Sequence, residues 1–162
     1  MGDLNTIYLS GKMTGLSKTD MNSWREKMVA ALKKEVVYAD IINPVEYYNT
    51  ESSDYDTDKE YIKWELRQAQ NCSVLIVGWN IKQDSLGTMA ELTSAYLNNV
   101  PIIVYLYDTT LDDDPYGIVY ENLHPFVKYM SDKIFYADEI SKLATYIRKY
   151  IFFERYPAVI EF

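Results

Sequence analysis

Short unbroken apolar runs alternate along the chain with stretches in which apolar residues recur every three or four positions. The first pattern is typical of strands covered on both faces of a parallel sheet, and the second of amphipathic helices. Runs that predict strands cover Asn5–Gly11, 35–44, 73–79, 100–107 and 133–137. Because helical stretches separate them, we predict a doubly wound α/β fold: a mainly parallel, five-stranded sheet with helices on both faces, of the flavodoxin or Rossmann type.

Four stretches carry helical spacing, and the first follows a candidate N-cap at Ser17 or Thr19. The apolar residues of this first stretch are Met21, Trp24, Met28 and Leu32. The second stretch covers 58–70, with Ile62, Leu66 and Ala69 expected to point inward, and the third covers 87–98. The last stretch has one apolar stripe of Ile140, Leu143, Ala144, Ile147 and Ile151. With no repeat and no low-complexity linker, 1–162 is predicted to be one domain. The apolar tail, 152–162, is expected to pack at a subunit interface; packing on its own domain is the alternative.

Composition and charge narrow the choice of compartment and partner. The 162 residues are 48% hydrophobic and carry a net charge of −8, which argues against a nucleic-acid polymer or an anionic membrane as partner but not against a small nucleotide. The sequence contains no apolar run long enough for a membrane span and no signal-peptide pattern at its start. The single cysteine, Cys72, excludes an intrachain disulfide, so we expect a reducing cytoplasm.

Ligands of doubly wound sheets bind beyond the carboxyl ends of the strands, which directs attention to the loops 10–15 and 80–88. In the first loop, Gly11 and Gly15 let the backbone approach a ligand, while Lys12 and Thr14 offer a cation and a hydroxyl. These groups suit an anionic or polyhydroxylated ligand, although a bare turn has the same composition. The loop lacks the spacing of a nucleoside-triphosphate P-loop.

The second loop leads into the third helix. Ser85, Gly87 and Thr88 can cap that helix or bind an anion at its positive end. Glu91 follows one turn later among apolar residues, and Tyr8, near the end of the first strand, is within plausible reach. Glu91 is therefore either a nucleophile in the crevice or a charge that complements the helix start.

The segments "IYLSGKMTG", "SVLIVGW", "SLGTMAEL" and "NNVPIIVY", with a fainter echo in "SDKIFYADEI", occur in an order and spacing that resembles the nucleoside 2-deoxyribosyltransferase family over about residues 6–107. The resemblance implies that Glu91 is the nucleophile and that the Tyr8 hydroxyl holds it in position. It also implies small-molecule nucleosides and nucleobases as partners, no cofactor, and a homo-oligomer that shares active sites between subunits.

The sequence departs from the family pattern at the acidic residues that would protonate or hydrogen-bond the departing base. Many members carry an aspartate where this chain has Ser73, and transferases carry one where it has Ser85, with Asp84 one step earlier. The proton donor to the base is therefore Asp84, Glu65 on the preceding helix, or no side chain.

Other residues bear on whether the substrate carries a phosphate. A "SLG" turn before the glutamate is similar to relatives that hydrolyse 2′-deoxynucleoside 5′-monophosphates, in which this serine, Ser85 here, helps to bind the phosphate. Lys133 stands where a neighbouring transferase subunit supplies an asparagine to the sugar. The substrate-binding candidates are Gly11, Lys12, Met13, Thr14, Glu65, Ser73, Ser85, Gly87, Thr88 and Lys133.

Three functions follow in order of preference. The first is transfer of deoxyribose between nucleobases through a covalent sugar ester of Glu91. The second is hydrolysis of a 2′-deoxynucleoside 5′-monophosphate, with water opening the ester. The third is a nucleotide-binding module without catalysis.

Several other residues are not assigned to chemistry. His124 has no partner at metal-ligand spacing, Cys72 lacks a basic neighbour, and Asp112–Asp114 do not form a calcium-loop pattern. We therefore expect no metal and no cofactor. Tyr47 and Tyr48 could stack on a base, although a place in the core is the more ordinary use of a tyrosine.

Overall fold

The computed structural model describes residues 5–47 and 58–159. Their strands are β1 (Asn5–Gly11), β2 (Ala39–Ile42), β3 (Val74–Trp79), β4 (Ile102–Leu106) and β5 (Lys133–Tyr136). Their α-helices are α1 (Lys18–Glu35), α2 (Asp58–Asn71), α3 (Leu86–Leu97), α4 (Ile118–Asn122), α5 (Pro125–Met130) and α6 (Ile140–Tyr146). Short 3-10 helices cover Pro44–Glu46 and Ala137–Glu139, and a π-helical turn at Ile147–Ile151 continues α6.

The five strands form one parallel sheet in the order β2-β1-β3-β4-β5. This confirms the predicted doubly wound fold. The chain leaves β1 toward β2 on one side and continues with β3 on the other, so strand order reverses between β1 and β3. A crevice is expected beyond the carboxyl ends of these two adjacent strands.

Each face of the sheet is covered by its own apolar core, as expected when successive strand residues point to opposite faces. One core packs Tyr8, Leu75 and Val77 with residues of α2, α3 and α5. The other packs Ile7, Leu9 and Ile76 with α1 and α6. Tyr8 therefore projects to the side of the sheet that α3 covers.

Trp24 of α1 packs so closely on β1 and β3 that two strand positions require glycine. A Cβ atom at Gly78 would overlap the indole ring, and one at Gly11 would lie 2.9 Å from it and 3.2 Å from Arg25 Nη2. The space at Gly11 is thus filled by the chain's own helix. Gly11 also borders the cavity described below, so the expectation that its backbone approaches a ligand stays a prediction.

The structure departs from the predicted elements in four places. The second strand, predicted over 35–44, covers only Ala39–Ile42, because α1 extends to Glu35. Helices α4 and α5 were not predicted, because segments of five and six residues are too short to show a helical period. The last helix widens to a π-helical turn, in which the Phe152 amide donates to the Ile147 carbonyl at 3.0 Å. Ile62, expected to point inward, is 53% exposed and borders the cavity.

The described part of the tail lies against its own chain. The amides of Ala158 and Val159 donate to the carbonyls of Glu35 and Lys34, and Arg148 Nη1 donates to the carbonyls of Glu154 and Arg155. This matches packing on its own domain, which was the alternative; contact with a second subunit stays a prediction, and residues 160–162 lie outside the described part. No helix within residues 5–47 and 58–159 is long and apolar enough to cross a membrane.

Candidate active site

A cavity of about 630 Å³ opens beyond the carboxyl ends of β1 and β3, at the reversal of strand order. Its wall comes from the loop after β1, from α2, and from the loop that leads into α3. The predicted site residues in this wall are Gly11, Lys12, Met13, Thr14, Glu65, Asp84, Ser85, Gly87, Thr88 and Glu91. Asp58, Tyr61, Ile62 and Leu86 complete it and were not predicted.

Glu91 projects from α3 into the inner end of the cavity. The residue is 6% exposed, and its Oε2 has no hydrogen-bond partner among the described residues. Burial, and then the charge of Glu65, raise the pKa of Glu91 to about 8, against the opposing effects of the Tyr8 hydroxyl, Arg25 and the Ser10 hydroxyl. An acid held this far from water costs stability, and such groups are concentrated at functional sites.

Tyr8 meets Glu91 from the sheet. Its side chain is fully buried, and its hydroxyl also lacks a hydrogen-bond partner of good geometry within the described chain. Burial first, and then the nearby Glu91 charge, raise the pKa of Tyr8 well above its usual value. The phenol therefore keeps its proton and is available to donate to the Glu91 carboxylate. Tyr8 and Glu91 are brought together, as their predicted roles require.

Arg25 is the charged residue near Glu91 that was not predicted from the sequence. Its guanidinium is fully buried beneath the end of β1 and donates to the carbonyls of Met21 at 2.6 Å and Gly11 at 3.0 Å. Burial lowers the pKa of Arg25 to about 10, so the group stays charged at neutral pH. The available signal was its position on the apolar stripe of α1, between Met21 and Met28.

Of the two acids proposed to serve the base, Glu65 lies deeper in the cavity. It is half-buried on α2, and burial raises its pKa, while the Tyr61 hydroxyl and Arg25 oppose the rise. Asp84 is exposed at the rim, where its backbone carbonyl accepts a hydrogen bond from Lys12 Nζ at 3.2 Å. Glu65 is also close enough to affect Glu91 electrostatically.

The start of α3 has the predicted cap. The Ser85 hydroxyl accepts from the Thr88 amide at 3.3 Å and lies 2.8 Å from the Thr88 hydroxyl. The Lys12 ammonium, held by Asp84, lies on the same wall. Hydroxyls, amides at a helix start and an ammonium group therefore border one region of the cavity.

Aromatic rings pack together near Glu65, and Tyr61 is the member of this group that lines the cavity. Trp64 stacks on Tyr61 at a centroid distance of 5.8 Å and lies 4.7 Å from Tyr47, and its ring meets the edge of Tyr8 at 6.3 Å. The Tyr61 hydroxyl donates to the Pro44 carbonyl at 3.0 Å. Tyr47 thus belongs to an aromatic cluster beside the cavity, whereas Tyr48 lies outside the described residues.

Two predicted binding residues are not in this cavity. Ser73 comes immediately before β3, and its hydroxyl accepts from the Thr6 amide at 3.0 Å. This is the amino end of the sheet, one strand length, or roughly 20 Å, from the cavity. Lys133 begins β5 at the same end, with its Nζ 5.9 Å from the ring centres of Phe135 and Tyr146. A contribution of Lys133 to a neighbouring subunit's cavity stays a prediction.

The residues set aside earlier have ordinary structural partners. His124 Nδ1 accepts from the Phe126 amide at the start of α5. Burial raises the pKa of the Cys72 thiol to about 12. The Tyr136 hydroxyl donates to the Asp114 carboxylate at 2.7 Å. Among residues 5–47 and 58–159, no group of three or more histidine, cysteine or acidic side chains could hold a metal ion.

A doubly wound parallel sheet with a cavity at its switch point is the architecture of α/β proteins that bind small ligands beyond the carboxyl ends of their strands. Residues 5–109 match the family described as nucleoside 2-deoxyribosyltransferase like. The chain belongs to this family, and the match includes every element that contributes to the cavity.

Two further comparisons bear on the fold and on close relatives. None of the curated proteins compared with the sequence matches it. A solved structure of a conserved protein from Enterococcus faecalis V583 is similar, with a TM-score of 0.66 and 14% sequence identity over 91% of this chain and 99% of the other. At that identity the likeness concerns the fold alone.

Proposed function

We propose that the protein cleaves the N-glycosidic bond of a 2′-deoxyribonucleoside or its 5′-monophosphate through Glu91 and transfers the deoxyribose to another nucleobase. The observation that carries this proposal is the Glu91 carboxyl itself, buried at the inner end of the cavity with Oε2 lacking a hydrogen-bond partner in the described chain and the Tyr8 hydroxyl beside it. Family membership supports the same chemistry.

In the first half-reaction, the bond between the anomeric carbon and the base nitrogen breaks and its electron pair leaves with the base. One Glu91 oxygen bonds to the anomeric carbon, which gives a sugar ester, as in retaining glycosidases. The departing base gains a proton, and Glu65 is the acid proposed to supply it, because it lines the same cavity as Glu91 and burial raises its pKa above the usual value. In the second half-reaction, a nitrogen of the incoming base attacks the anomeric carbon, the ester bond breaks, and Glu65 takes the proton back.

The Tyr8 hydroxyl has a different part in this sequence. By donating to the ionised Glu91 carboxylate, it orients one oxygen and leaves the other free to attack. A phenol suits this task because it remains protonated while the carboxylate is charged. In the cavity wall, Tyr61, backed by the ring of Trp64, offers an aromatic surface that suits the flat face of a nucleobase.

A second candidate is hydrolysis of a 2′-deoxynucleoside 5′-monophosphate, in which water opens the ester. The wall that contains Lys12, Ser85 and Thr88 favours it, since ammonium, hydroxyl and helix-start amide groups suit a phosphate. This candidate shares the first half-reaction and differs only in what accepts the sugar.

The test is chromatography of the protein incubated with each of the four deoxynucleosides and their 5′-monophosphates, with and without a free acceptor base. A new nucleoside that forms only with the acceptor supports transfer, and free base from monophosphates alone supports hydrolysis. Glu91→Gln should abolish either product. The matched control is Glu26→Gln, which changes an exposed glutamate on α1 and should leave the rate unchanged.

Two outcomes would refute the proposal. One is full activity of the Glu91→Gln variant, which would exclude a sugar ester on this residue. The other is stable binding of an intact nucleotide with no product after long incubation, which would indicate the non-catalytic binding module. Mass spectrometry of the acid-quenched protein with substrate adds a direct check, because the ester should appear on the wild type and not on Glu91→Gln.

A further inference from the structure

Arg25 is fully buried, although its hydrogen bonds do not satisfy all the donor groups of its guanidinium. Its side chain is fully excluded from solvent and does not border the cavity. Nη1 and Nη2 donate to the carbonyls of Met21 and Gly11, but Nε has no partner among the described residues. The guanidinium carbon also lies 4.9 Å from the centre of the Trp24 ring. Burying a charge in this way is costly unless an opposite charge compensates it.

The main compensating charge is that of Glu91, which lines the cavity. Glu91 opposes the burial-driven fall in the pKa of Arg25 more strongly than any other group, followed by Tyr8, Tyr107 and Tyr61. In return, Arg25 lowers the pKa of both Glu91 and Glu65. The groups that interact electrostatically with Glu91 are Tyr8 and Ser10 from β1, Arg25 from α1, Tyr61 and Glu65 from α2, and Cys72 next to β3. Within residues 5–47 and 58–159, Arg25 is the only cation among these groups.

We propose that Arg25 is a positioning residue for Glu91: its guanidinium, held by two backbone carbonyls beneath the end of β1, supplies a fixed positive charge that favours the ionised form of the Glu91 carboxylate without touching the ligand. The role in turnover rests on the proposed function of Glu91, whereas the effect on ionisation does not. Two features make arginine suitable. Its planar fork matches two carbonyls at once, and the group keeps its charge at neutral pH although it is fully buried.

The bond to Gly11 adds a geometric part to this role. Gly11 ends β1 and borders the cavity, and its carbonyl is anchored by Arg25 Nη2. The same guanidinium therefore fixes the strand end that supports the loop of Lys12, Met13 and Thr14. Charge and anchoring can be separated experimentally, since lysine retains the first and loses the double hydrogen bond.

The experiment compares wild type with Arg25→Met, Arg25→Lys, Glu91→Gln and the double variant Arg25→Met/Glu91→Gln. One measurement is kcat/KM for base release as a function of pH. The other is the free energy of unfolding from urea titrations at several pH values, which needs no activity. The matched control is Arg148→Met, which removes another buried arginine, ion-paired with Glu35 at 2.7 Å and remote from the cavity.

Arg25→Met should move the acidic limb of the kcat/KM profile upward by about one pH unit or more, the lower end of the effect of an opposite charge on a carboxyl group. Below the limb this amounts to roughly a tenfold loss, with a much smaller loss above it. Arg25→Lys should keep the acidic limb of the kcat/KM profile within a few tenths of a pH unit of its wild-type position. In the urea titrations, the loss of stability that accompanies ionisation of Glu91 should continue to higher pH in Arg25→Met than in the wild type. The double variant, which has no carboxyl at position 91, should not show this continued loss.

The inference is overturned if Arg25→Met lowers activity equally at all pH values and changes stability with the same pH dependence as Arg148→Met, because the role is then only structural. If Arg25→Met does not fold, Arg25→Lys decides: an unmoved limb supports the fixed charge, and a limb displaced by about one unit contradicts it. If the wild type releases no base, the proposed function fails while the urea titrations still test Arg25.

Discussion

Replacing Glu91 by glutamine should make the folded protein more stable at neutral and alkaline pH. Glutamine keeps the size and polarity of the side chain but cannot ionise, so the variant removes the cost of a buried carboxylate. Near pH 4 or below, both side chains are neutral and the two proteins should have similar stability. The difference therefore has a defined pH dependence, which distinguishes it from an ordinary packing effect.

Its magnitude follows from the difference between the folded and unfolded states. The pKa of Glu91 is about 8 in the folded chain, against a reference value of 4.5. Between these values the folded state holds one proton more than the unfolded state, so the stability of the wild type falls by about 1.4 kcal/mol for each pH unit. The stability contributed by this group is fully present below about 4.5 and is lost as pH rises through about 8. The whole loss has an upper bound of about 5 kcal/mol, since water in the adjoining cavity reduces it.

Urea denaturation monitored by tryptophan fluorescence between pH 5 and pH 9 would measure this difference. The gain of Glu91→Gln over wild type should grow with pH and level off above about 8. Glu26→Gln, at an exposed position, should follow the wild type throughout. A Glu91→Gln variant with a constant offset, or one that loses stability with rising pH as the wild type does, would refute the assignment of a raised pKa to this carboxyl.

Three further predictions concern the site and the packing beneath it. Base release should depend on an ionised Glu91, so kcat/KM should rise through an apparent pKa near 8 before it levels off; a rate that is flat from pH 6 to pH 9 would contradict this. Tyr8→Phe should lower kcat by about 10- to 100-fold, because the Glu91 carboxylate loses one hydrogen-bond donor of the preorganised kind. Tyr150→Phe, which changes an exposed ring, should have no effect on kcat. Equal activities of the two variants would argue against the role of Tyr8. Gly78→Ala should lower the free energy of unfolding in urea titrations by about 1–3 kcal/mol, because the new methyl group overlaps the Trp24 ring. The control is Gly87→Ala, where a Cβ meets nothing within 4 Å. Equal stabilities of the two variants would contradict the packing argument.

The elements of the fold could be predicted from the order of residues because their signals are local. Continuous apolar runs predicted β1, β3 and β4, helical spacing predicted α1 and α3, and the Ser17 and Ser85 caps matched the observed helix starts. Periodicity needs two or more turns to be visible, so α4 and α5 were missed. The sequence pattern also indicated Glu91 and Tyr8 as site candidates, since an acid among apolar residues and a strand-end tyrosine stand out in their own segments.

Only the tertiary structure decided which distant charges surround Glu91. Arg25, Glu65 and Glu91 belong to three different helices, and their proximity depends on how these helices pack on the two faces of the sheet. The same packing assigns the space at Gly11 to α1 and puts Ser73 at the opposite end of β3. Local pattern is sufficient to choose the longer strands and helices, because each of them buries its own apolar face. The protonation of a buried acid is decided by charges that the chain brings together only when it folds.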